Sequence, residues 1–181
     1  FIPLGLPMLW SPEDTAREIH RLAKKGCRAI TFPDRPAGLN MPSIHDAHWD
    51  PIWRACDETG TVICIHIGSG TGMGLQDSKA AVEIMITGAP ITLFACANEI
   101  VFSEFIRKYP NLKITMSEGG IAWVGGLIDR LDNIMTRSGY GSNWPDKHNS
   151  PSDVLRRNFW FTMIDDPSTI STRVRIGVEN I

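Results

Sequence analysis

Apolar and polar positions follow two periods along this chain. Short, nearly continuous apolar runs are separated by longer segments in which apolar residues recur at spacings of three and four. The runs "CRAITF" (27–32), "TVICIHI" (61–67), "LKITMS" (112–117) and "FWFTM" (159–163) predict buried strands, and "FIPLGL" (1–6) predicts one more. "SPEDTAREIHRLAKKG" predicts a helix with Ser11 as N-cap and Pro12 at the first helical position. Glu13 and Asp14 suit its first turn, Lys24 and Lys25 its last, and Gly26 ends it. "DPIWRACDETG" repeats these signals, with Asp50 as cap and Gly60 as terminator.

The region 78–109 reads as helix in two pieces, broken by "GAP" at 88–90. Ile121, Val124, Ile128, Leu131 and Met135 step 3-4-3-4 along one face of a further helix. A polar, glycine-rich loop spans 137–153. Asp166 and Pro167 then open a last helix that runs to Gly177, and "VENI" reads as the start of another strand.

A helix follows each strand before the next strand appears. That order predicts an α/β fold with parallel strands and right-handed crossovers. A doubly wound sheet and a section of a (β/α)8 TIM barrel both satisfy it. The polar residues favour the barrel: Asp34 and Arg35, His66, and Glu118 fall at the C-terminal ends of different strands, where barrels carry their chemistry.

Composition narrows the field. The 181 residues suit one domain, with 43% hydrophobic and 21% charged residues. A net charge of −2 provides no basic field for nucleic acid or anionic lipid. No apolar run reaches about 18 residues, so no membrane span is expected. Cys27, Cys56, Cys64 and Cys96 lie far apart in apolar segments. They read as buried free thiols of a cytoplasmic protein rather than a disulfide or zinc framework. The chain opens on Phe1 and closes in "GVENI" in mid-pattern, so it is expected to be a single domain, 1–181, truncated at both ends.

His66 has two readings. It is a hydrogen-bonded core histidine, or its imidazole is a divalent-metal ligand, with the glycines of "IGSGTGMG" clearing space beside it. The glycines do not follow G-x-G-x-x-G and lack the G-K-[ST] of a phosphate loop. Glu118 is either a first-turn acid favoured by the helix dipole or a pocket carboxylate that moves a proton. Trp123 lies off the apolar face of its helix and either roofs a pocket or packs at the helix edge. His45 and His48 precede a helix beside Asp46 and Asp50; capping competes with a pocket-lining role for His48. His20 and His148 read as structural.

Four blocks in this order, "PLGLPMLWSPEDTAREIHRLAKKGCRAITF", "HDAHWDPIWRACDETGTVICIHIGSG", "RKYPNLKITMSEGGIAWVGGLIDRLD" and "RRNFWF…VRIGVENI", resemble the amidohydrolase-related family of metal-dependent hydrolases and decarboxylases. The resemblance implies a (β/α)8 barrel holding one divalent metal, usually zinc and sometimes manganese. It makes the present strands the third to the seventh, lacking the first two and the last. His66 then matches the fifth-strand metal ligand. Glu118 stands where the decarboxylases commonly carry a second histidine. The family's His-x-His pair and its eighth-strand Asp have no counterpart in these residues, so most ligands are expected outside them. The implied reaction is hydrolysis, or nonoxidative decarboxylation, of a small carboxylated, perhaps aromatic, substrate. Glu118 is the expected acid/base, and Trp123 and His48 line the pocket. A homodimer follows by analogy. Two alternatives stand beside this reading: another metal-dependent barrel, such as a sugar isomerase with Glu118 as direct ligand, and a metal-free, non-catalytic barrel remnant.

Overall fold

A computed structural model describes residues 1–70, 79, 81–137, 144–146 and 148–181. Four parallel strands, β1 (Ala29–Phe32), β2 (Val62–His66), β3 (Lys113–Ser117) and β4 (Phe159–Phe161), pair in the order β1-β2-β3-β4. The sheet is open. Its strand order equals its chain order, as expected when each crossover advances in the same sense.

The expected strand at 1–6 shrinks to one bridge, Gly5 against Ile30. Gly5 N–H donates to Ala29 O (2.8 Å), and Gly5 O accepts from Thr31 N–H (3.0 Å). Pro3 and Pro7 flank Gly5 at the same strand parity and have no N–H to extend the ladder.

Helix α1 (Pro12–Lys24) runs as expected, though the Ser11 hydroxyl donates to the Asp14 carboxylate (2.6 Å) instead of capping the backbone. In α2 (Asp50–Thr59) the N-cap position is Trp49, and Asp50 is the first helical residue. Its carboxylate turns outward to Lys108, Tyr109 and Arg54. The region after β2 forms three helices, not two: α3 (Val82–Gly88), α4 (Pro90–Phe102) and α5 (Glu104–Lys108). Ser103 supplies the extra break, its extended backbone ending α4 while its side chain caps α5.

Taken as one stretch, Val82–Phe102 has the length and apolar content of a membrane span, against the expectation from sequence. Leu93, Cys96, Ala97, Ile100 and Val101 of α4 are buried in the core, while Val82, Ile84, Ile86 and Ile91 are exposed, and the apolar window is 33% buried.

The last third departs most. Helix α6 (Ala122–Thr136) buries Val124, Leu127, Ile128 and Leu131. An unexpected helix, α7 (Pro151–Asn158), starts inside the stretch read as loop, on a capping box between Ser150 and Asp153. Residues 138–143 and 147 of that loop lie outside the described residues. The expected last helix becomes a 3-10 turn (Ile170–Thr172) and a short α8 (Arg173–Ile176). "VENI" forms a second 3-10 turn (Val178–Asn180), not a strand. Buried Asn180 holds that turn down by donating to Arg156 O (2.8 Å) and Phe159 O (2.7 Å).

Side chains alternate across the sheet. Ile63, Ile65, Ile114, Met116, Phe159 and Phe161 are buried with α2, α4 and α6 in one core. Thr31, Cys64, Thr115 and Trp160 form a row on the opposite face and are only half-buried. His66 and Ser117 are paired one step further along that face, at the C-terminal ends of β2 and β3.

Candidate functional site

The last residue of β2 and the first after β3 meet. His66 Nε2 lies 3.1 Å from Glu118 Oε2. Strand register produces the approach: His66 sits across from Ser117, so Glu118 emerges beside the imidazole. The other ring nitrogen, Nδ1, is 3.0 Å from Ile67 O. A carbonyl can only accept, so the Nδ1 proton is placed there and Nε2 faces outward. A lone pair on Nε2 opposite a carboxylate oxygen needs positive charge between them, supplied by a proton or a metal cation. The side chains are 51% and 69% exposed, so the pair contributes little to stability and is accessible to a ligand.

Glu118 does not serve as a first-turn acid. Helix α6 begins four residues later, and Glu118 is left-handed at φ 60°. A non-glycine residue there carries strain, which persists only where the surroundings hold it. Two side chains hold this turn. Thr162 Oγ1 accepts from Glu118 N–H (2.7 Å) and donates to Met116 O (3.2 Å). Asp166 Oδ2 accepts from Ile121 N–H (3.1 Å), a free donor at the α6 N-terminus, and from Ile164 N–H (3.2 Å). Thr162 escaped the sequence reading because it looked like one more strand residue. Asp166 has the sequence position of a cap for the helix after it, but its side chain serves the α6 N-terminus.

The loop after His66 is fastened to the loop after β1. Ser69 Oγ donates to His66 O (2.7 Å) and accepts from Asp34 N–H (3.0 Å), and Gly70 N–H donates to Asp34 Oδ1 (2.5 Å). Asp34 is 3% exposed, and its Oδ2 is sealed from solvent without a partner among the described residues. A cavity of about 290 Å³ beside it is lined by Asp34, Arg35, Thr92, Cys96 and Glu99. Burial, followed by the charges of Asp34 and Glu99, pushes the Cys96 thiol well up, so it is not a nucleophile. Residues 71–78 of the glycine run lie outside the described residues.

The other sequence candidates, Trp123 and His48, are bonded to neither member of the pair. Trp123 is half-buried in the first turn of α6, where Nε1 donates to Gly119 O (3.0 Å). Its ring meets Phe161 (5.5 Å) and Phe94 (6.1 Å) edge-on, which makes it a wall between the α6 turn and β4. His48 lies in a 3-10 turn (Ala47–Trp49) with its ring edge-on to Trp49 at 4.7 Å. The cavity beside that turn, about 160 Å³, is lined by His45, Asp46, Asp50, Trp53, Glu104 and Lys108, without His66 or Glu118. Among the described residues, no group of three His, Cys, Asp or Glu side chains is placed to hold a metal ion.

A parallel βα succession with an imidazole and a carboxylate at its C-terminal rim fits an open section of a (β/α)8 barrel. The chain belongs to the amidohydrolase family, whose model matches residues 1–167. No curated protein matches it in sequence. It is similar in structure to an amidohydrolase from Mycobacterium avium subsp. paratuberculosis, at 18% identity and a TM-score of 0.78 over 98% of this chain and 47% of that one. It is also similar to 5-carboxyvanillate decarboxylase from Sphingomonas paucimobilis, at 21% identity and TM-score 0.76, covering 99% of this chain and 54% of the other. A third, 5-carboxyvanillate decarboxylase from Novosphingobium aromaticivorans complexed with manganese and 4-hydroxy-3-methoxy-5-nitrobenzoic acid, matches at 20% identity and TM-score 0.66, covering 99% and 52%. At these identities the likeness establishes the fold. The chain spans about half the length of these three proteins.

Proposed function

We propose that the intact protein is a divalent-metal-dependent hydrolase or nonoxidative decarboxylase acting on a small carboxylated, aromatic substrate. The observation that carries this reading is the approach of His66 Nε2 to Glu118 Oε2 at the C-terminal rim of the sheet. His66 suits one ligand position of a metal site. The Ile67 carbonyl fixes Nδ1 as the protonated nitrogen and leaves Nε2 as donor, the arrangement that metal-binding histidines use. Zinc or manganese would be held through His66, with further ligands from outside the described residues. Such a metal polarises a substrate carbonyl or carboxylate and acidifies a bound water. Glu118 would then accept or return a proton at Oε2, and Trp123 would exclude water from one side of the rim. A homodimer in the cytoplasm is part of the proposal by family analogy and from the four free thiols.

The same approach favours one second reading. Oε2 stands where a cation on Nε2 would be reached, so Glu118 would be a direct ligand, as in a sugar-isomerase type of barrel enzyme. Elemental analysis of the intact protein separates the cases. The main reading expects about one metal per chain, a sharp fall in His66→Ala and retention in Glu118→Gln. Loss in both variants favours the second. Equal metal in wild type and His66→Ala overturns both. Carbon dioxide release from 5-carboxyvanillate, the compound named for the relatives, is the first activity assay.

A further inference from the structure

We infer that Thr162 is a positioning residue: its hydroxyl fixes the left-handed turn that sets the Glu118 carboxylate against His66. The inference rests on the reading of Glu118 as the proton-handling group.

The argument starts from a conflict. Strand β3 ends at Ser117, and its direction would carry residue 118 onward along the sheet. Glu118 instead takes φ 60°, a conformation its side chain disfavours, two residues before Gly120, also left-handed at φ 63°. Gly120 adopts this freely; Glu118 does not. Something outside the turn must select it. Among the described residues, the side-chain oxygen bonded to the Glu118 amide is Thr162 Oγ1, at 2.7 Å. The same hydroxyl donates to Met116 O at 3.2 Å, and Thr162 N–H reaches that carbonyl as well, at 3.2 Å. One residue therefore ties the last part of β3 and the amide of the strained residue to a single point beyond β4. The hydroxyl serves as both donor and acceptor, and both partners are backbone groups of the segment it shapes.

Position rules out a packing role. Thr162 follows the last residue of β4 and is exposed, whereas Phe159 and Phe161 before it are buried. Its contribution is made through hydrogen bonds. The consequence lies 3.1 Å from His66 Nε2, because the φ of residue 118 decides which way its carboxylate leaves the rim. Asp166 supports the far side of the turn, at Ile121 N–H, without touching Glu118.

The test uses three variants of the intact chain and a readout independent of any substrate. Thr162→Val keeps the shape and removes the hydroxyl. Thr162→Ser restores the hydroxyl. Glu118→Gln removes the carboxylate charge. The first readout is the nitrogen resonance of His66 Nε2. Thr162→Val is expected to move it in the direction that Glu118→Gln moves it, and Thr162→Ser to leave it at the wild-type position. In the Glu118→Gln background, Thr162→Val is expected to add nothing, since paired residues are not additive. The second readout is hydrogen exchange of the Glu118 amide, expected to quicken about tenfold in Thr162→Val and recover in Thr162→Ser. An unmoved His66 resonance in Thr162→Val, or an equal shift in the Glu118→Gln background, overturns the inference. Kinetics then address the reading beneath it. With 5-carboxyvanillate as probe, Thr162→Val should lower kcat about tenfold with little change in KM. If Glu118→Gln leaves kcat unchanged while the resonance arm succeeds, Thr162 positions Glu118 but the catalytic reading of Glu118 fails.

Discussion

His66 Nε2 and Glu118 Oε2 are 3.1 Å apart, although 52 positions separate the residues in sequence. Adjacent parallel strands bring them together, and one of the pair carries backbone strain to complete the contact. Both groups are exposed, so the strain is not repaid by stability. Local strain beside an accessible imidazole and carboxylate is the observation on which the proposed function rests.

Metal binding should depend on His66. In the intact protein, His66→Ala is expected to lower metal content from about one per chain to near zero, because an imidazole ligand is lost. The fold should survive, since the ring is half exposed and outside the core. Elemental analysis alongside circular dichroism checks both halves of this expectation.

Strain at position 118 predicts an order of stabilities. Glu118→Ala keeps a Cβ at φ 60° and loses only the exposed pair. Glu118→Gly removes the steric cost of the left-handed region, about 1 kcal/mol. Glu118→Gly should therefore unfold at higher denaturant than Glu118→Ala, while both lose activity. The reverse order would mean that residue 118 is not strained.

At Gly70 the loops after β1 and β2 approach closely. A Cβ there would lie 2.5 Å from Arg35 N and 2.6 Å from both Arg35 O and Asp34 Oδ1. Those are mostly backbone atoms that cannot swing aside. Gly70→Ala should cost about 2 kcal/mol or more. It should also detach the loop after His66 from Asp34, which equilibrium unfolding and exchange of the residue 70 amide would report.

Asp50 supplies a pH dependence. Its carboxylate accepts from Lys108 Nζ (2.7 Å) and Tyr109 Oη (2.9 Å) and pairs with Arg54 (3.0 Å). Burial acts to raise its pKa, but the Lys108 and Tyr109 hydrogen bonds and the nearby cations outweigh it, and the pKa falls below the ordinary carboxylate value. A depressed folded pKa stabilises fully above the unfolded value, ~3.9, and the benefit is lost as pH falls through the folded value. Asp50→Asn should cost about 1–2 kcal/mol at pH 7. The cost should shrink toward zero as pH drops below ~3.9. A cost that stays constant down to pH ~2 would assign the effect to packing instead.

Much of the fold was legible because its signals are local. Proline at the head of α1 and α2, acids and bases in the right turns of α1, and apolar steps of three and four through α6 all depend on near neighbours. The βα order alone pointed to parallel strands. Two of three failures share one cause. Residues 1–6 looked like a strand until Pro3 and Pro7 met the parity of β1. The α7 segment was hidden by the polar loop in front of it. "VENI" looked like a strand, but Asn180 is held by carbonyls of α7 and β4. For Gly5 and Asn180 the deciding partner lies far away in sequence, whereas α7 opens on a local capping box of Ser150 and Asp153 that the surrounding polar residues masked.

The candidate site divides along the same line. The sequence by itself determined that an imidazole ends one apolar strand and a carboxylate ends another, since composition and period place them there. Only the tertiary structure decided that they meet, because strand register sets which residues share a row. It also decided that Glu118 leaves its helix's first turn, because Thr162 and Asp166 reach back from the β4 end to hold the β3–α6 turn. Hydrogen bonds between residues about 45 positions apart have no local sequence pattern, so the orientation of the carboxylate could be read only from the folded chain.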